Sequence, residues 1–269
     1  YEGTFADKFH LNVVAGQTYE ENLTHNLGAK GMELQEPYFL QLGTAKTWTA
    51  WSSDFAHALT SFFTRVNFDY DGKYLLSAIV RRDGSSRLSK ESRWGTFPSV
   101  SLGWRIDKEN FFEPARSVVN MMKLRGSYGV LGNENIGEYM YQATINRGNM
   151  SYSFGNSPIY GSTPEYYVNK GLASEKKKTA NVGIDMAFLN NRIEFTAEWY
   201  KNTSTDLLYD VAVPSSTGVR NETVKMNAGT MENSGLEFSV TYRDRTSFGL
   251  NYDISANLST LKNKVTKLD

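Results

Sequence analysis

The sequence contains no cysteine, which excludes disulfide bridges, thiolate metal sites and a cysteine nucleophile. Its three histidines, His10, His25 and His57, are too far apart in the chain to indicate metal ligands by their spacing. No apolar run approaches the ~18 residues of a membrane-spanning helix. This last absence leaves a membrane β-barrel open, because its strands are short and only half apolar.

An excess charge of either sign is also missing. Lys and Arg together number 29, as do Asp and Glu, so net charge gives no argument for a nucleic-acid partner. The phosphate-binding G-K-[ST], the nucleophile motif G-x-S-x-G and the metal motif H-E-x-x-H do not occur. We therefore predict no catalytic residue, no metal site, no cofactor and no enzymatic activity.

Aromatic residues are abundant, with 16 Tyr and 15 Phe, and apolar and polar residues alternate with a period of two. The stretch FGLNYDISANLS at residues 248–259 shows the alternation most clearly. The same pattern predicts about nine antiparallel strands in all: residues 10–18, 62–70, 73–81, 99–106, 123–130, 180–188, 193–199, 235–243 and 248–259.

The predicted connections alternate in length. Short turns fall at residues 71–72, 189–191 and 244–247, and long polar segments at 19–55, 82–96, 131–178 and 201–233. Residues 107–122 predict a short amphipathic helix that starts near Asn110. If the strands run up and down, all short connections lie at one end, as in outer-membrane barrels with short periplasmic turns and long extracellular loops.

The two predicted strand faces differ in chemistry. Large aromatic residues cluster near the short turns, mostly on the apolar face, as an interfacial girdle requires: Phe68, Tyr70, Tyr74, Trp104, Phe188, Phe195, Tyr242 and Phe248. Charged residues repeat on the opposite face, which we expect to line a wet lumen: Arg105, Arg125, Asp185, Glu194, Glu198, Glu237 and Asp253.

Several blocks of the sequence resemble barrel strands of the SusC/RagA family of TonB-dependent outer-membrane transporters of the Bacteroidetes. These are KYLLSAIVRRDGSSRLSKESRWGTFPSVSLGWRI, LRGSYGVLGNENIGEY, NVGIDMAFLNNRIEFTAEWYKNTSTDLL, VPSSTG and NAGTMENSGLEFSVTY, in this order. The similarity extends over most of the chain from about Phe62 onward. It implies an all-β, antiparallel transmembrane barrel of 22 strands, of which this chain would supply about nine.

The resemblance also implies the domain organisation. We expect residues 1–269 to be part of one TonB-dependent receptor β-barrel domain, with the plug domain and the closing strands not included. The family function is import of oligosaccharides or oligopeptides through the outer membrane. The implied partners are a SusD-like surface lipoprotein that acts as a lid, the TonB-ExbB-ExbD complex, outer-membrane lipid, and a second transporter–lipoprotein pair or a larger membrane complex.

Other functions remain open at this stage. A TonB-dependent siderophore or cobalamin receptor has the same fold, and a passive porin or adhesin needs only the barrel. A soluble β-sandwich that binds glycans would accept the same alternation of apolar and polar residues. The sequence does not distinguish glycan from peptide as the imported substrate.

Candidate contacts with substrate or a partner lie in the long polar segments, where aromatic rings occur among Asn, Ser and Gly. Rings stack on sugars or peptide side chains, although tyrosines in a loop also pack on one another. The candidates are Tyr139, Tyr141, Tyr152, Tyr160, Tyr166, Tyr167, Trp48 and Trp51. The arginine-rich stretch RRDGSSRLSKESRWG at residues 81–95 is interpreted as a loop at the rim of the barrel, with Asp83-Gly84 as a bend and not a tight hairpin.

Overall fold

The computed structural model describes residues 1–34, 41–133, 136–155 and 157–268, and the side chains of residues 146–152, 154, 158 and 160 lie outside that description. Within these ranges the chain forms fifteen β-strands: β1 (Glu2–Phe5), β2 (Phe9–Leu34), β3 (Ala45–Tyr70), β4 (Tyr74–Ser85), β5 (Trp94–Arg105), β6 (Val119–Asn133), β7 (Ile145–Phe154), β8 (Ser157–Pro164), β9 (Glu175–Phe188), β10 (Ile193–Thr205), β11 (Leu208–Ala212), β12 (Thr223–Asn227), β13 (Thr230–Arg245), β14 (Asn251–Ser259) and β15 (Lys262–Lys267).

One large antiparallel sheet dominates the fold, in the order β1-β2-β3-β4-β5-β6-β9-β10-β13-β14, with β15 also paired to β13. Two separate hairpins, β7–β8 and β11–β12, lie in the long connections. The predicted antiparallel all-β fold is confirmed, and all nine predicted strands lie in the main sheet.

The last two strands of the sheet are one strand with a local interruption. Glu237 pairs with Ser259 and Ser234 with Lys262, so the register does not change between β14 and β15. At the interruption, Thr260 donates its amide to the Leu236 carbonyl and accepts the Leu236 amide on its side-chain oxygen. Counted this way the described sheet has ten strands, and the strand that the sequence did not predict is β1.

The alternation produces two chemically different faces. Register partners across neighbouring strands, such as Leu76 and Leu102 or Ala197 and Phe238, lie on the same face, as in any antiparallel pair. The face that carries these four residues is here called the apolar face. Its large apolar side chains are exposed: Leu102 is 60% exposed and Val182 is 52% exposed. A second sheet would bury this face in a soluble sandwich, so the β-sandwich alternative does not fit the described structure.

Every short connection lies at one end of the sheet, here called the short-turn end. Asp71 and Gly72 both have positive φ, as a two-residue hairpin turn requires, and Leu189, Asn190 and Asn191 form a left-handed turn between β9 and β10. The opposite end, the long-loop end, carries the four long connections. The alternation of connection lengths predicted from the sequence is confirmed in part: connections 134–174 and 206–229 are long, but 35–44 and 86–93 are shorter than the connection 106–118 at the short-turn end. The turn predicted at 244–247 falls at 246–250 because β13 extends to Arg245.

The aromatic residues at the short-turn end contact one another across strands. The ring centroids of Phe9 and Tyr70 are 4.7 Å apart, those of Tyr70 and Tyr74 6.1 Å, and those of Tyr74 and Trp104 6.4 Å. Because these residues are register neighbours on the apolar face, the rings form a continuous row along four strands. The predicted aromatic band is confirmed for this row.

The amphipathic helix predicted for residues 107–122 is wrong. The structure has two 3₁₀ turns instead, Ile106–Lys108 and Asn110–Ala115, followed directly by β6. Pro114 lacks the amide that an α-helix needs, and Asp107 Oδ1 accepts the Met122 amide at 3.2 Å, which fixes the start of β6. Helix-like spacing of apolar residues over so short a segment did not outweigh these contacts.

The long polar segments predicted to be loops are also partly wrong. Segment 19–55 is mostly strand, because β2 and β3 each have 26 residues and extend about 85 Å at about 3.3 Å per residue. Pairing of β3 with β4 stops at Leu59, so residues 21–34 and 45–58 form a two-stranded projection, here called the ribbon. Both faces of the ribbon are exposed and mixed in polarity, which removes the alternation that identifies strands in a sequence.

Segments 131–178 and 201–233 are likewise not structureless. They contain the hairpins β7–β8 and β11–β12, and segment 82–96 is shortened at both ends by β4 and β5. Asp83 and Gly84 pair with Gly95 and Trp94 inside the sheet, so they form no tight hairpin, as the sequence predicted. The bend predicted there is wrong, because β4 continues through both residues to Ser85.

A carboxylate at the short-turn end joins the aromatic row to the β5–β6 connection. Tyr74 donates its phenol to Glu109 Oε1 at 2.6 Å, and the Trp104 indole donates to the same atom at 3.0 Å. The hydrogen bond from Tyr74 and then that from Trp104 lower the pKa of the Glu109 carboxyl. Glu109 therefore holds the turn segment against the ends of β4 and β5.

We predict that the contribution of Glu109 to stability is lost in acid. A carboxyl whose pKa is lower in the folded than in the unfolded state stabilises the fold above the unfolded value near 4.3. That contribution disappears as the pH falls through the folded value. The difference in unfolding free energy between the parent protein and Glu109→Gln, measured by urea titration in detergent, should be constant above the unfolded value, begin to shrink as the pH falls below it, and vanish only below the lowered pKa of the folded state. Glu113→Gln, at an exposed position in the same segment, is the control, and a pH-independent difference for Glu109 would contradict the prediction.

We also predict unequal tolerance of charge on the two faces, if the apolar face meets lipid as the family resemblance implies. Leu102→Arg and Phe238→Arg should impair membrane assembly, since a cation near the bilayer centre costs about 2–4 kcal/mol. Ser101→Arg and Ser239→Arg, at neighbouring positions on the polar face, should assemble better. The measurement is the fraction of heat-modifiable full-length protein in the membrane, and equal tolerance on both faces would argue against lipid contact.

Candidate functional site: the polar face and the long-loop end

A row of small polar side chains crosses the sheet on the face opposite the apolar one. The row has one member on each of six neighbouring strands, and consecutive members are register partners: Asn12, Asn67, Ser77, Ser101, Ser127 and Asn181. The Ser77 hydroxyl donates to Asn67 Oδ1 at 2.7 Å. With Lys123 and Arg125, these residues line a cavity of about 450 Å³. The row offers hydroxyl and amide groups to a polar ligand or to water.

Three of the predicted lumen charges form one ion cluster on this face. Arg125 Nε lies 3.1 Å from Asp185 Oδ2, and its Nη2 lies 2.5 Å from Glu198 Oε2. Gly183 stands between Arg125 and Glu198 in the register, and a Cβ there would lie 2.9 Å from the guanidinium carbon. The glycine therefore lets the arginine cross β9 and reach a carboxylate two strands away.

The other predicted lumen charges lie apart from this cluster. Arg105 forms an ion pair with Asp107 at 2.8 Å, and Glu194 pairs with Arg243 at 2.5 Å, both close to the short-turn end. Glu237 is the register partner of Glu198 on the next strand, and Asp253 that of Arg243. All of these residues share the polar face or its edge, but the structure divides them into separate pairs.

The long-loop end has a small hydrophobic core of its own, here called the loop core. Leu88, Ile136 and Leu172 are each at most 6% exposed, and Met140 and Leu208 pack against them. Burial of such an aliphatic side chain contributes about 1.5–3 kcal/mol. Because the five residues come from three different long connections, the loop core joins those connections to one another.

A group of three side chains beside the loop core, Arg87, Glu138 and His57, ties the core to the ribbon and is here called the triad. Glu138 Oε1 lies 2.8 Å from Arg87 Nη2 and 3.0 Å from His57 Nδ1, and the side chains of all three residues are at most 20% exposed. The Tyr139 hydroxyl donates to the Ala56 carbonyl at 3.4 Å. The arginine-rich stretch therefore supplies Arg87 and Leu88 to the packing of the loops.

Backbone contacts complete the connection between loops. Glu175 Oε1 accepts the Leu208 amide at 2.8 Å, and Asn227 contacts both the amide and the carbonyl of Ala173. Ser89 donates to the Lys170 carbonyl at 2.8 Å. Connections 86–93, 134–174 and 206–229 thus form one interconnected surface above the sheet.

The eight aromatic contact candidates do not form one cluster. Tyr139 and Tyr141 lie beside the loop core; Tyr166 and Tyr167, 40% and 53% exposed, lie beside β12. The side chains of Tyr152 and Tyr160 lie outside the described residues. Trp48 and Trp51 are 66% and 56% exposed, but their register partners Gly31 and Gly28 place them on opposite faces of the ribbon. Trp51 continues the polar face and packs over Gly28, whereas Trp48 continues the apolar face.

The loop core and the triad were missed by sequence reasoning. Leu88, Ile136 and Leu172 are single aliphatic residues in polar segments, without periodicity, and Glu138 and His57 are 81 residues apart. The one available signal was the presence of isolated leucines in segments that should need none. Within the described part of the chain no group of three His, Asp or Glu side chains could hold a metal ion, and no helix is long and apolar enough to cross a membrane.

Comparison with known proteins gives a consistent result. Residues 2–268 match the model of the TonB dependent receptor-like β-barrel family. The chain is 33% identical over 271 residues to TonB-dependent receptor P39 of Formosa agariphila, covering all of this chain and 25% of the relative. It is 37% identical over 237 residues to TonB-dependent receptor SusC of Bacteroides thetaiotaomicron, covering 87% of this chain and 23% of that protein.

A solved structure gives the same picture. All of this chain superimposes on 29% of a chain of the RagAB peptide transporter with a TM-score of 0.84 and 27% identity. The chain thus spans about a quarter of the length of the relatives it matches.

We predict that the triad of Arg87, Glu138 and His57 keeps the loops joined to one another. Arg87→Ala leaves only His57 beside the half-buried carboxylate of Glu138, at a local cost of about 1–3 kcal/mol. Hydrogen exchange of residues 136–145 and 165–174 should therefore become faster in the full-length protein, while exchange in β4 and β5 stays unchanged. Lys90→Ala, at an exposed position of the same loop, is the matched control. Unchanged exchange in Arg87→Ala would show that the loop core alone holds the loops.

Proposed function

The chain belongs to the TonB-dependent receptor-like β-barrel family, and from this we propose that it supplies barrel wall and loops to a SusC-like outer-membrane transporter. The transporter imports oligosaccharides or oligopeptides that are too large for diffusion through porins. One observation carries this proposal: a SusC-like sheet with an apolar outer face and a polar, hydrogen-bonding inner face ends in loops that are joined to one another.

The division of roles follows from the two faces. The apolar face contacts lipid, and the polar face with Arg125, Asp185 and Glu198 lines the lumen beside a plug domain. We take the described sheet as a stretch of one 22-stranded barrel domain whose short turns are periplasmic. Energy coupling through TonB-ExbB-ExbD would act on the plug, outside this sheet.

The joined loops form the docking surface for a SusD-like lipoprotein lid. Loops that share a core keep a fixed shape when the lid opens and closes, so the lid meets the same surface in each cycle. The name of the RagAB peptide transporter supports peptide as one substrate class, and the glycan alternative rests on the resemblance of the sequence to the SusC/RagA family. A dimer of transporter–lipoprotein pairs is compatible with this arrangement.

Uptake experiments test the function. Cells with and without the full-length protein are given fluorescent oligopeptides and oligosaccharides of about ten units, with and without a proton uncoupler. We expect one substrate class to accumulate only when the protein is present and the proton gradient is intact. Uptake that survives the uncoupler would favour a passive porin, and uptake of a ferric siderophore instead would favour a siderophore receptor.

We further predict that the two ribbon tryptophans differ in importance. Trp51 continues the polar face, where substrate or lid is expected, and removal of a contacting Trp ring commonly weakens binding about fivefold or more. Trp51→Ala should therefore lower the uptake rate at limiting substrate concentration. Trp48→Ala, three residues away on the opposite face, is the matched control and should leave uptake unchanged. Equal effects of the two substitutions would contradict this placement.

A further inference from the structure

Basic and aromatic side chains replace aliphatic ones on the apolar face near the long-loop end. On β4 this face carries Leu76, Ala78 and Val80, and then Arg82. The same change occurs on β9 and β10, which are separated from β4 in the sheet by β5 and β6. We call the following residues the basic arc: Arg82 on β4, Lys176 and Lys178 on β9, and Lys201 on β10.

The register fixes the direction of these side chains. Lys178 pairs with Val130 and Thr203, and Lys201 pairs with Ala180, so both lysines lie on the face that carries Val182 and Trp199. Lys177, between Lys176 and Lys178, lies on the polar face. The tripeptide Lys176–Lys178 therefore places two of its three charges on the apolar face.

The distance from the short turns places the arc at a defined depth. Arg82 is the ninth residue of β4, Lys201 is the ninth residue of β10, and Lys178 is the eleventh residue of β9 counted from its short-turn end. A strand crosses a bilayer in about 9–11 residues. The basic arc thus lies where each strand has completed the crossing, at the level of the lipid headgroups.

Aromatic rings lie at the same level. Phe62, Trp94 and Tyr128 are on this face and are 47%, 44% and 47% exposed. The Arg82 guanidinium lies 5.4 Å from the centroid of the Trp94 ring, and the Trp94 ring stacks on Phe62 at 6.2 Å. Amphipathic rings beside cations are typical of the boundary between hydrocarbon and headgroups.

The basic arc has more positive charge than its neighbours neutralise. Lys176 pairs with Asp206 at 3.4 Å and Lys201 with Glu232 at 3.1 Å. Arg82 lies over the Trp94 ring, and in the described ranges neither Arg82 nor Lys178 has a carboxylate oxygen within 4.0 Å. The unneutralised cations of this face are therefore placed for an anion from outside the chain.

We propose that the basic arc binds phosphate groups of anionic lipids in the leaflet at the long-loop end. Guanidinium and ammonium groups donate strong hydrogen bonds to phosphate, and their long stems cover apolar surface while the charged ends reach the headgroups. The lipid acyl chains then lie along the aliphatic residues below. This inference rests on the proposed outer-membrane location, because an apolar face in water would meet no lipid.

Native mass spectrometry of the full-length transporter, purified in detergent, tests the inference. The probes are phosphatidic acid, an anionic lipid with an accessible phosphate, and phosphatidylcholine with matched acyl chains. We expect the parent protein to bind phosphatidic acid more tightly. Arg82→Gln with Lys178→Gln should weaken that binding about fivefold for each charge removed. Lys178→Arg should retain binding, because it keeps the charge.

Lys177→Gln is the matched control, since it removes an equal charge from the adjacent residue on the other face. An equal loss in Lys177→Gln, or no loss in the double variant, would overturn the inference. Displacement of phosphatidic acid by millimolar inorganic phosphate would indicate a phosphate site without preference for lipid and would also overturn it. Absence of the parent protein from the outer-membrane fraction would overturn the proposed function itself, whereas normal location and uptake with unaltered lipid binding would reject only the lipid site.

Discussion

A fixed antiparallel register is the constraint on which the rest of this structure depends. Since side chains alternate between faces, a slip of one residue in any pair would move a whole strand's apolar set to the polar face. Arg125, for example, reaches Asp185 and Glu198 only because Gly183 lies opposite it. The same register aligns Tyr70, Tyr74 and Trp104 into one row on the other face.

The sheet and the long-loop end are stabilised in different ways. The sheet has no second layer packed on it in the described residues, and its large apolar side chains are exposed. The loops instead bury Leu88, Ile136 and Leu172 and hold Glu138 between Arg87 and His57. The stability of the sheet therefore depends mainly on hydrogen bonds between its strands, whereas the stability of the loops depends on buried side-chain contacts.

Sequence reasoning predicted the strands of the main sheet well and the structure of the loops poorly, for a physical reason. Strands with one apolar and one polar face, such as residues 235–243, carry a period-two signal that fixes their existence and direction. The ribbon loses that signal because neither face is buried, so residues 19–34 and 45–55 were predicted as loop. Of the site, the cluster of Arg125, Asp185 and Glu198 followed from the alternation. The contact of Glu138 with His57 joins distant segments through loop geometry that no local pattern encodes.

The loop core has a consequence for how the loops of related barrels can diverge. Met140 and Leu208 come from different connections but pack on the same three buried residues, so a change of volume in one connection must be accommodated by the others. Loops that were independent could be exchanged one at a time between relatives. These loops share an interior, so recombination that preserves folding should transfer all three connections as a set, and their sequences should change together.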